Sequence, residues 1–218
     1  MRYTVFEEGE FYHIYNRGVD KRNIFEDKED LQRFLNSMEM FNTVDIIGSI
    51  YEKSREDDKF GSLAPKKLVN IIAYCLNQNH FHFILEPLVE NGVQKFMHRI
   101  STGYTNYFNE KNDRSGSLFQ GTYKAKHISS NEYLLYLGVY VNLNNMVHEG
   151  MNKLWMRELP FSSFAEYSGE QKNGICKKDI ILDQFKSSSD FIKYSKDTLP
   201  LIRKRKEDLS DFKSVCID

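Results

Sequence analysis

The order of strand-like and helix-like segments in the first 147 residues predicts an α+β fold, a ferredoxin-like sandwich with an antiparallel sheet of about five strands. Three observations support this prediction. In several short segments the side-chain types alternate with the period of a strand, and three longer segments carry apolar residues at helical spacing. A three-residue link joins two of the predicted strands. We expect helices on one face of the sheet and a substrate on the other.

The first five predicted elements lie before residue 90. Alternating side chains predict a strand over 11–17, which Gly18 ends. Apolar residues spaced by three and four predict an amphipathic helix over 30–41. Three further strands are predicted, over 44–51, 68–76 and 80–86. The last two strands are close enough in sequence to form a hairpin.

Three more elements complete the predicted sheet and its helices. Helical spacing of apolar residues predicts a second helix over 92–109, and a fifth strand is predicted over 118–128. A third helix is predicted over 129–147. Ser129 and Glu132 stand at its start with the spacing of a capping box, in which serine and glutamate satisfy free backbone N–H groups.

Length and composition are those of an ordinary globular protein. The chain has 218 residues, of which 40% are hydrophobic and 28% charged. We predict a main domain over 1–150 and a basic, partly helical extension over 151–218, with a helix over 179–206. Neither a signal-peptide pattern nor a run of roughly 20 apolar residues is present, so we expect a cytoplasmic protein with no membrane partner.

Charge is unevenly distributed along the chain although the net charge is only −1. Residues 26–58 hold ten acidic and four basic residues, whereas 95–127 hold two acidic and six basic ones. Residues 172–206 hold four acidic and ten basic residues. Such a chain can present a basic surface to phosphate groups, or the charges can belong to unrelated solvated faces.

Two histidines one residue apart are the strongest chemical signal in the sequence. His80 and His82 lie in the apolar run of a predicted strand, so their side chains point to the same face. Two neutral imidazoles about 6 to 7 Å apart along a strand can bind one divalent cation if a third ligand comes from another element. Without that ligand, the pair is explained as well by two hydrogen-bonded histidines.

The third predicted helix carries three tyrosines along one face. Tyr133, Tyr136 and Tyr140 are spaced by three and four residues. Spacing alone does not choose a nucleophile among them, since each can be an aromatic residue of the core. Asn144 follows Tyr140 by one turn on the same face, where its oxygen could join the two histidines at a cation.

Several segments, taken together, resemble the REP-associated tyrosine transposases, single-tyrosine members of the His-hydrophobic-His endonuclease superfamily that are similar to IS200-like transposases. The similar segments, which follow the same order over about residues 10–167, are 12–18, 74–82, 104–124 and 140–144. Three positions depart from the family pattern. Asn77-Gln78 stands in place of Met-Pro, Thr122 in place of arginine, and Asn145-Met146 where proline is usual. None of the three is a proposed ligand or nucleophile.

The resemblance implies a metal-dependent enzyme that cleaves and rejoins single-stranded DNA at a hairpin. Tyr140 would attack the phosphodiester and form a 5′-phosphotyrosine, and His80, His82 and Asn144 would bind the metal. Two imidazoles and an amide oxygen leave positions open for phosphate oxygens, which suits Mg²⁺ or Mn²⁺. The resemblance does not decide between a monomer and a homodimer.

Contacts with DNA are expected from basic and aromatic residues on several elements. Such residues can bind phosphates or stack on bases, or they can belong to ordinary solvated faces. The candidates are Arg17, Lys95, Arg99, Arg114, Tyr123, Lys124 and Lys126.

Two other functions remain as alternatives. A domesticated hairpin-binding protein without catalysis would keep the fold and the basic surface. A metal-dependent hydrolase of another fold would use His-x-His, but barrel amidohydrolases need more ligands and a longer chain.

Overall fold

A computed structural model of the chain describes residues 4–45, 65–147 and 161–215, with side chains described as far as residue 205. One antiparallel sheet with the strand order β2-β3-β1-β4 forms its centre. Its strands are β1 (Tyr12–Arg17), β2 (Val69–Asn77), β3 (His80–Pro87) and β4 (Lys124–His127). The predicted α+β class and antiparallel sheet are confirmed, with four strands in the described part of the chain.

Seven helices accompany the sheet in the described residues, besides a short 3-10 turn at Val19–Lys21. They are α1 (Lys28–Met40), α2 (Gly92–Lys111), α3 (Asn131–Asn142), α4 (Asn144–Val147), α5 (Phe164–Ser168), α6 (Asp179–Leu182) and α7 (Ser188–Val215). None of these helices is long and apolar enough to cross a membrane.

Helices lie against both faces of the sheet. On one face Ile14, Phe81 and Phe83 are buried in a cluster to which α1 and α2 contribute. On the other face Ile72 and Ile84 are buried in a second cluster that includes side chains of α3, α5, α6 and α7. The expectation that helices cover only one face of the sheet is therefore wrong. The helices α1 and α2 cover one face, and α3 with the C-terminal helices covers the other. The apolar residues of α3 are packed between the sheet and the C-terminal helices, which explains its largely apolar sequence.

The outer edge of β2 is paired by the C-terminal part of the chain. The Leu76 N–H donates to the Phe161 carbonyl at 2.7 Å, and the Ser163 N–H donates to the Tyr74 carbonyl at 3.0 Å. A later segment lies parallel to β2 further along the strand, where the Lys177 N–H donates to the Ile71 carbonyl at 2.8 Å. The tail thus contributes directly to the core and sheet edge, and a domain boundary at residue 150 stays a prediction.

Three predicted elements differ from those observed. The strand predicted over 118–128 is regular only in β4, because Gly121 has a left-handed φ of 69° that ends the extended conformation. The helix over 129–147 breaks at Leu143, which separates α3 from α4, and its cap is Ser130 rather than Ser129. The helix over 179–206 is likewise divided into α6 and α7.

The strand predicted over 44–51 lies mostly outside the described residues. The third described range begins at residue 161 and leads into α5.

Candidate active site

One face of the sheet collects histidine, tyrosine and lysine side chains from three neighbouring strands. Tyr15 of β1 is paired with His82 of β3 and with Lys124 of β4, so all three side chains lie on the same face. The alternation of each strand adds further side chains to this face: His13, Arg17, His80 and Lys126. We call it the histidine face.

His82 contacts two groups that are distant in sequence. Its Nδ1 lies 2.9 Å from Nε2 of His13, and the two rings are stacked. The ring of Tyr140 lies edge-on to His82 with the centroids 5.5 Å apart. Burial, aided by the nearby positive charge of Lys126, lowers the pKa of His13 to about 4. His13 is therefore neutral at physiological pH, and one hydrogen is shared between its Nε2 and Nδ1 of His82.

His80 contacts three asparagines, two at the end of the hairpin and one at the start of α4. Its Nε2 lies 3.3 Å from Oδ1 of Asn144 and 3.0 Å from Nδ2 of Asn77. The other ring nitrogen, Nδ1, lies 2.6 Å from Oδ1 of Asn79 and can donate its hydrogen there. This contact assigns the lone pair to Nε2, on the side of Asn144.

Tyr140 lies in the last turn of α3 with its phenol beside Asn144. Burial raises the pKa of Tyr140, and the neighbouring Asn144 side chain partly opposes that rise. The phenol is therefore protonated at neutral pH. The structure thus brings together Tyr140 and the proposed ligands His80, His82 and Asn144.

A small hydrogen-bond network fixes the end of α3 against the sheet. The Ser163 hydroxyl lies 2.7 Å from Oδ1 of Asn142 and accepts from the Tyr74 N–H at 2.9 Å. Asn142 also donates to the Gly138 carbonyl within α3. All of these groups are buried, so the turn that carries Tyr140 is tied to β2.

The donor atoms at this site suit a divalent cation with nitrogen and oxygen ligands. Within the described ranges, no three His, Cys, Asp or Glu side chains are close enough to hold a metal ion, so a site here depends on amide oxygen as well as imidazole. Oδ1 of Asn144 and Nε2 of His80 already face each other. The Asn144 side chain is fully buried and also contacts the Tyr140 phenol. Imidazole nitrogens and an amide oxygen of this kind are compatible with a divalent cation.

Two residues of the site were not singled out in the sequence. His13 shares the alternation of Tyr15 and Arg17 in the first strand, which is the signal that could have found it. Asn77 was noted only as a departure from a family pattern. The structure shows that it contacts both His80 and Asn144, so this departure does bear on the proposed ligands.

Three of the expected DNA contacts lie on the histidine face. Arg17 is paired with His80 and interacts with Gln120, while Lys124 and Lys126 are exposed on β4. The Lys126 ammonium lies 4.9 Å from the centre of the Tyr133 ring. These cations border the side chains that surround Tyr140.

The other expected DNA contacts lie elsewhere. Lys95 and Tyr123 line a groove of about 780 Å³ between α2 and the loop before β4. Arg99 also borders it, but its guanidinium donates to the carbonyls of Thr43 and Asp45 and so holds the chain after α1. Arg114 interacts with Asn109 and Ser117 beside the turn after α2, away from the histidine face.

Comparisons with known proteins agree with this architecture. The protein family described as "Transposase IS200 like" matches residues 11–144. A solved structure of a REP-associated tyrosine transposase bound to a REP hairpin aligns with a TM-score of 0.53 and 14% identity, over 80% of this chain and 88% of that one. At this identity the likeness concerns the fold. No curated protein sequence matches the chain.

Proposed function

Because the chain belongs to the family of IS200-like transposases, we propose that it cleaves and rejoins single-stranded DNA at a hairpin, with Tyr140 as the nucleophile. The observation that carries the proposal is the position of the Tyr140 phenol, edge-on to His82 and beside Asn144. A nucleophile, two imidazoles and an amide oxygen then border one space. Such a constellation is suited to attack on a phosphodiester.

The proposed reaction exchanges one phosphodiester for another. The Tyr140 oxygen attacks the phosphorus, the bond from phosphorus to the 3′-oxygen breaks, and a 5′-phosphotyrosine and a free 3′-hydroxyl result. The phenolic proton is lost as the new bond forms, and a proton is taken up by the leaving 3′-oxygen. Attack by a second 3′-hydroxyl reverses these changes and joins the strands without an external energy source.

His80, His82 and Asn144 are the proposed metal ligands. A divalent cation held there would polarise the phosphate and stabilise the charge that develops on the leaving oxygen. His13 acts on this site through His82, whose ring it orients by hydrogen bonding. Tyr140 is kept protonated before DNA binds, because burial raises its pKa.

The DNA is proposed to approach over the edge of the sheet formed by β4. Arg17, Lys124 and Lys126, which share the histidine face, are the residues proposed to contact phosphates next to the reacting bond. The groove lined by Lys95 and Tyr123 is a second proposed contact, where Tyr123 could stack on an unpaired base. Arg99 and Arg114 donate to backbone carbonyls of the protein, so a contact of either with DNA would require these hydrogen bonds to be exchanged.

A covalent-adduct assay tests the proposal directly. The full-length protein is incubated with Mn²⁺ and a labelled single-stranded hairpin from its own genomic neighbourhood, and the products are separated under denaturing conditions. We expect a labelled protein band with the natural chain and with Tyr136→Phe. We expect none with Tyr140→Phe. Tyr136 is a matched control, since it lies one turn earlier on the same helix.

The same assay separates the proposal from a non-catalytic role. Hairpin binding by the natural chain without any adduct would overturn it in favour of a hairpin-binding protein of the same fold. An adduct that persists in Tyr140→Phe and disappears in Tyr136→Phe would overturn the choice of nucleophile.

A further inference from the structure

Asn77 places its carboxamide between two of the proposed metal ligands. It is the last residue of β2, is paired with His80 across the hairpin and is fully buried. Its Nδ2 lies 2.8 Å from Oδ1 of Asn144 and 3.0 Å from Nε2 of His80. Those two ligand atoms are themselves 3.3 Å apart. The three atoms therefore form a nearly equilateral triangle.

The size of this triangle matches one face of a metal coordination octahedron. Mg²⁺ holds its ligands at about 2.1 Å, which places neighbouring octahedral ligands about 3.0 Å apart. The three separations of 2.8, 3.0 and 3.3 Å are all close to this value. Two corners of the triangle, the imidazole nitrogen of His80 and the amide oxygen of Asn144, are already atoms that bind metals.

The third corner becomes a metal-binding atom if the Asn77 amide turns over. The nitrogen and oxygen of a carboxamide are nearly equal in size, and the terminal torsion of asparagine is roughly two-fold, so the two atoms can exchange places with little steric change. With Nδ2 inward, Asn77 donates to two acceptors, as the cation-free site requires. With Oδ1 of Asn77 inward, its lone pair points toward those of Oδ1 of Asn144 and Nε2 of His80. Only a cation would stabilise this arrangement.

The surroundings of Asn77 permit this exchange. On its other side Oδ1 lies 3.9 Å from the Sγ of Cys75, a weak contact that a turned amide would lose at small cost. We propose that Asn77 is an additional metal ligand of this chain, bound through Oδ1 after its amide turns over. The proposal rests on the proposed function for the cation, and it adds a residue that differs from the methionine usual at this position.

Manganese binding without DNA tests the role of Asn77. The loss of the free Mn²⁺ signal in electron paramagnetic resonance measures the affinity of the natural chain and of the variants Asn77→Leu and Asn77→Asp. We expect Asn77→Leu to weaken binding about tenfold or more, whereas Asn77→Asp, which keeps an oxygen at the site, binds at least as tightly as the natural chain. Asn70→Leu, at the other end of β2 where Asn70 bonds to Glu86, should leave the affinity unchanged.

Each outcome decides the proposal. Equal or tighter Mn²⁺ binding by Asn77→Leu overturns it, and so does the absence of Mn²⁺ binding by the natural chain. If Asn77→Leu does not fold, as judged by circular dichroism, weaker binding by Asn77→Asp than by the natural chain overturns it instead. The covalent-adduct assay tests the proposed function independently of the ligand role of Asn77. An adduct on Tyr140 together with unchanged binding by Asn77→Leu rejects only the ligand role of Asn77.

Discussion

Nε2 of His13 lies 2.9 Å from Nδ1 of His82, although the two residues are 69 positions apart in the sequence. This contact orients the ring of His82 from a strand outside the hairpin. The outer partners of metal-binding histidines usually matter almost as much as the ligands. The pairing of β1 with β3 therefore extends the site beyond the hairpin that carries His80 and His82.

We predict that His13→Leu weakens Mn²⁺ binding about 10- to 100-fold, because His82 loses the hydrogen-bond partner that orients its ring. The measurement is a Mn²⁺ titration followed by paramagnetic resonance. His127→Gln is the control, since His127 lies on a neighbouring strand and contacts Glu10 at the surface. Unchanged affinity in His13→Leu would contradict the orienting role.

We predict that Lys124→Ala and Lys126→Ala each weaken binding to a single-stranded hairpin and make it less sensitive to salt. Each lysine that neutralises a phosphate contributes about 0.7 to 1 to the slope of log affinity against log salt. Fluorescence anisotropy at several salt concentrations measures this slope. Lys196→Ala, an exposed lysine of α7, should not alter it. If the slopes of Lys124→Ala and Lys126→Ala equal those of Lys196→Ala and the natural chain, the DNA does not bind on the histidine face.

We predict that Gly92→Ala destabilises the fold by about 1 to 3 kcal/mol, because the new Cβ would stand 2.3 Å from the carbonyl oxygen of Leu68. Gly138→Ala should cost less, since its Cβ would meet only the end of the flexible Ile181 side chain, at 2.8 Å. Alanine is also favoured over glycine within a helix by about 1 kcal/mol. Urea unfolding compares the two variants, and a larger loss in Gly138→Ala would refute this account.

We predict that Lys111→Met destabilises the fold by about 2 to 3 kcal/mol. The Lys111 ammonium lies 2.9 Å from the fully buried carboxylate of Asp30, which would be left without its counter-charge. Lys111 also contacts Asp27 at 2.6 Å. Lys95→Met, an exposed position of the same helix, is the control for urea unfolding at pH 7. Equal stability of the two variants would rule out a stabilising role for this ion pair.

Acid should reduce the effect of Lys111→Met. Hydrogen bonds and the charge of Lys111 hold the pKa of Asp27 below its usual value of 3.8, despite an opposing effect of burial. The folded state thus binds this proton less readily than the unfolded state, so the stabilisation is present above pH 3.8 and is lost as the pH falls through the lowered pKa. The difference between natural chain and variant should shrink as the pH falls from about 4 to about 2.5. A constant difference over that range would contradict the assignment.

Local patterns were sufficient to predict the hairpin and the histidine pair. Strand alternation and a short link depend only on neighbouring residues, so β2, β3 and the common face of His80 and His82 followed from the sequence. The helical spacing of Tyr140 and Asn144 likewise placed both near one another. The break at Leu143 between them was not predicted. It depends on the packing of α3 and α4 against the sheet and the C-terminal helices.

Contacts that depend on strand pairing or on the tail could not be predicted locally. His13 meets His82 only because β1 pairs with β3 in one particular register. The edge of β2 is covered by residues beyond 160, which no periodicity connects with that strand. The fifth predicted strand was too long because the alternation of its residues did not reveal the left-handed conformation of Gly121. These features are set by tertiary structure rather than by propensity.

The link from Ser163 to both Asn142 and Tyr74 has a consequence for the energetics of DNA binding. Since it joins the helix of Tyr140 to the strand next to the histidines, the phenol and the imidazoles are preorganised when the chain folds. Their conformational entropy is lost during folding and not when the nucleic acid arrives. In the proposed reaction, the free energy of DNA binding can then distort the strand instead of assembling the protein.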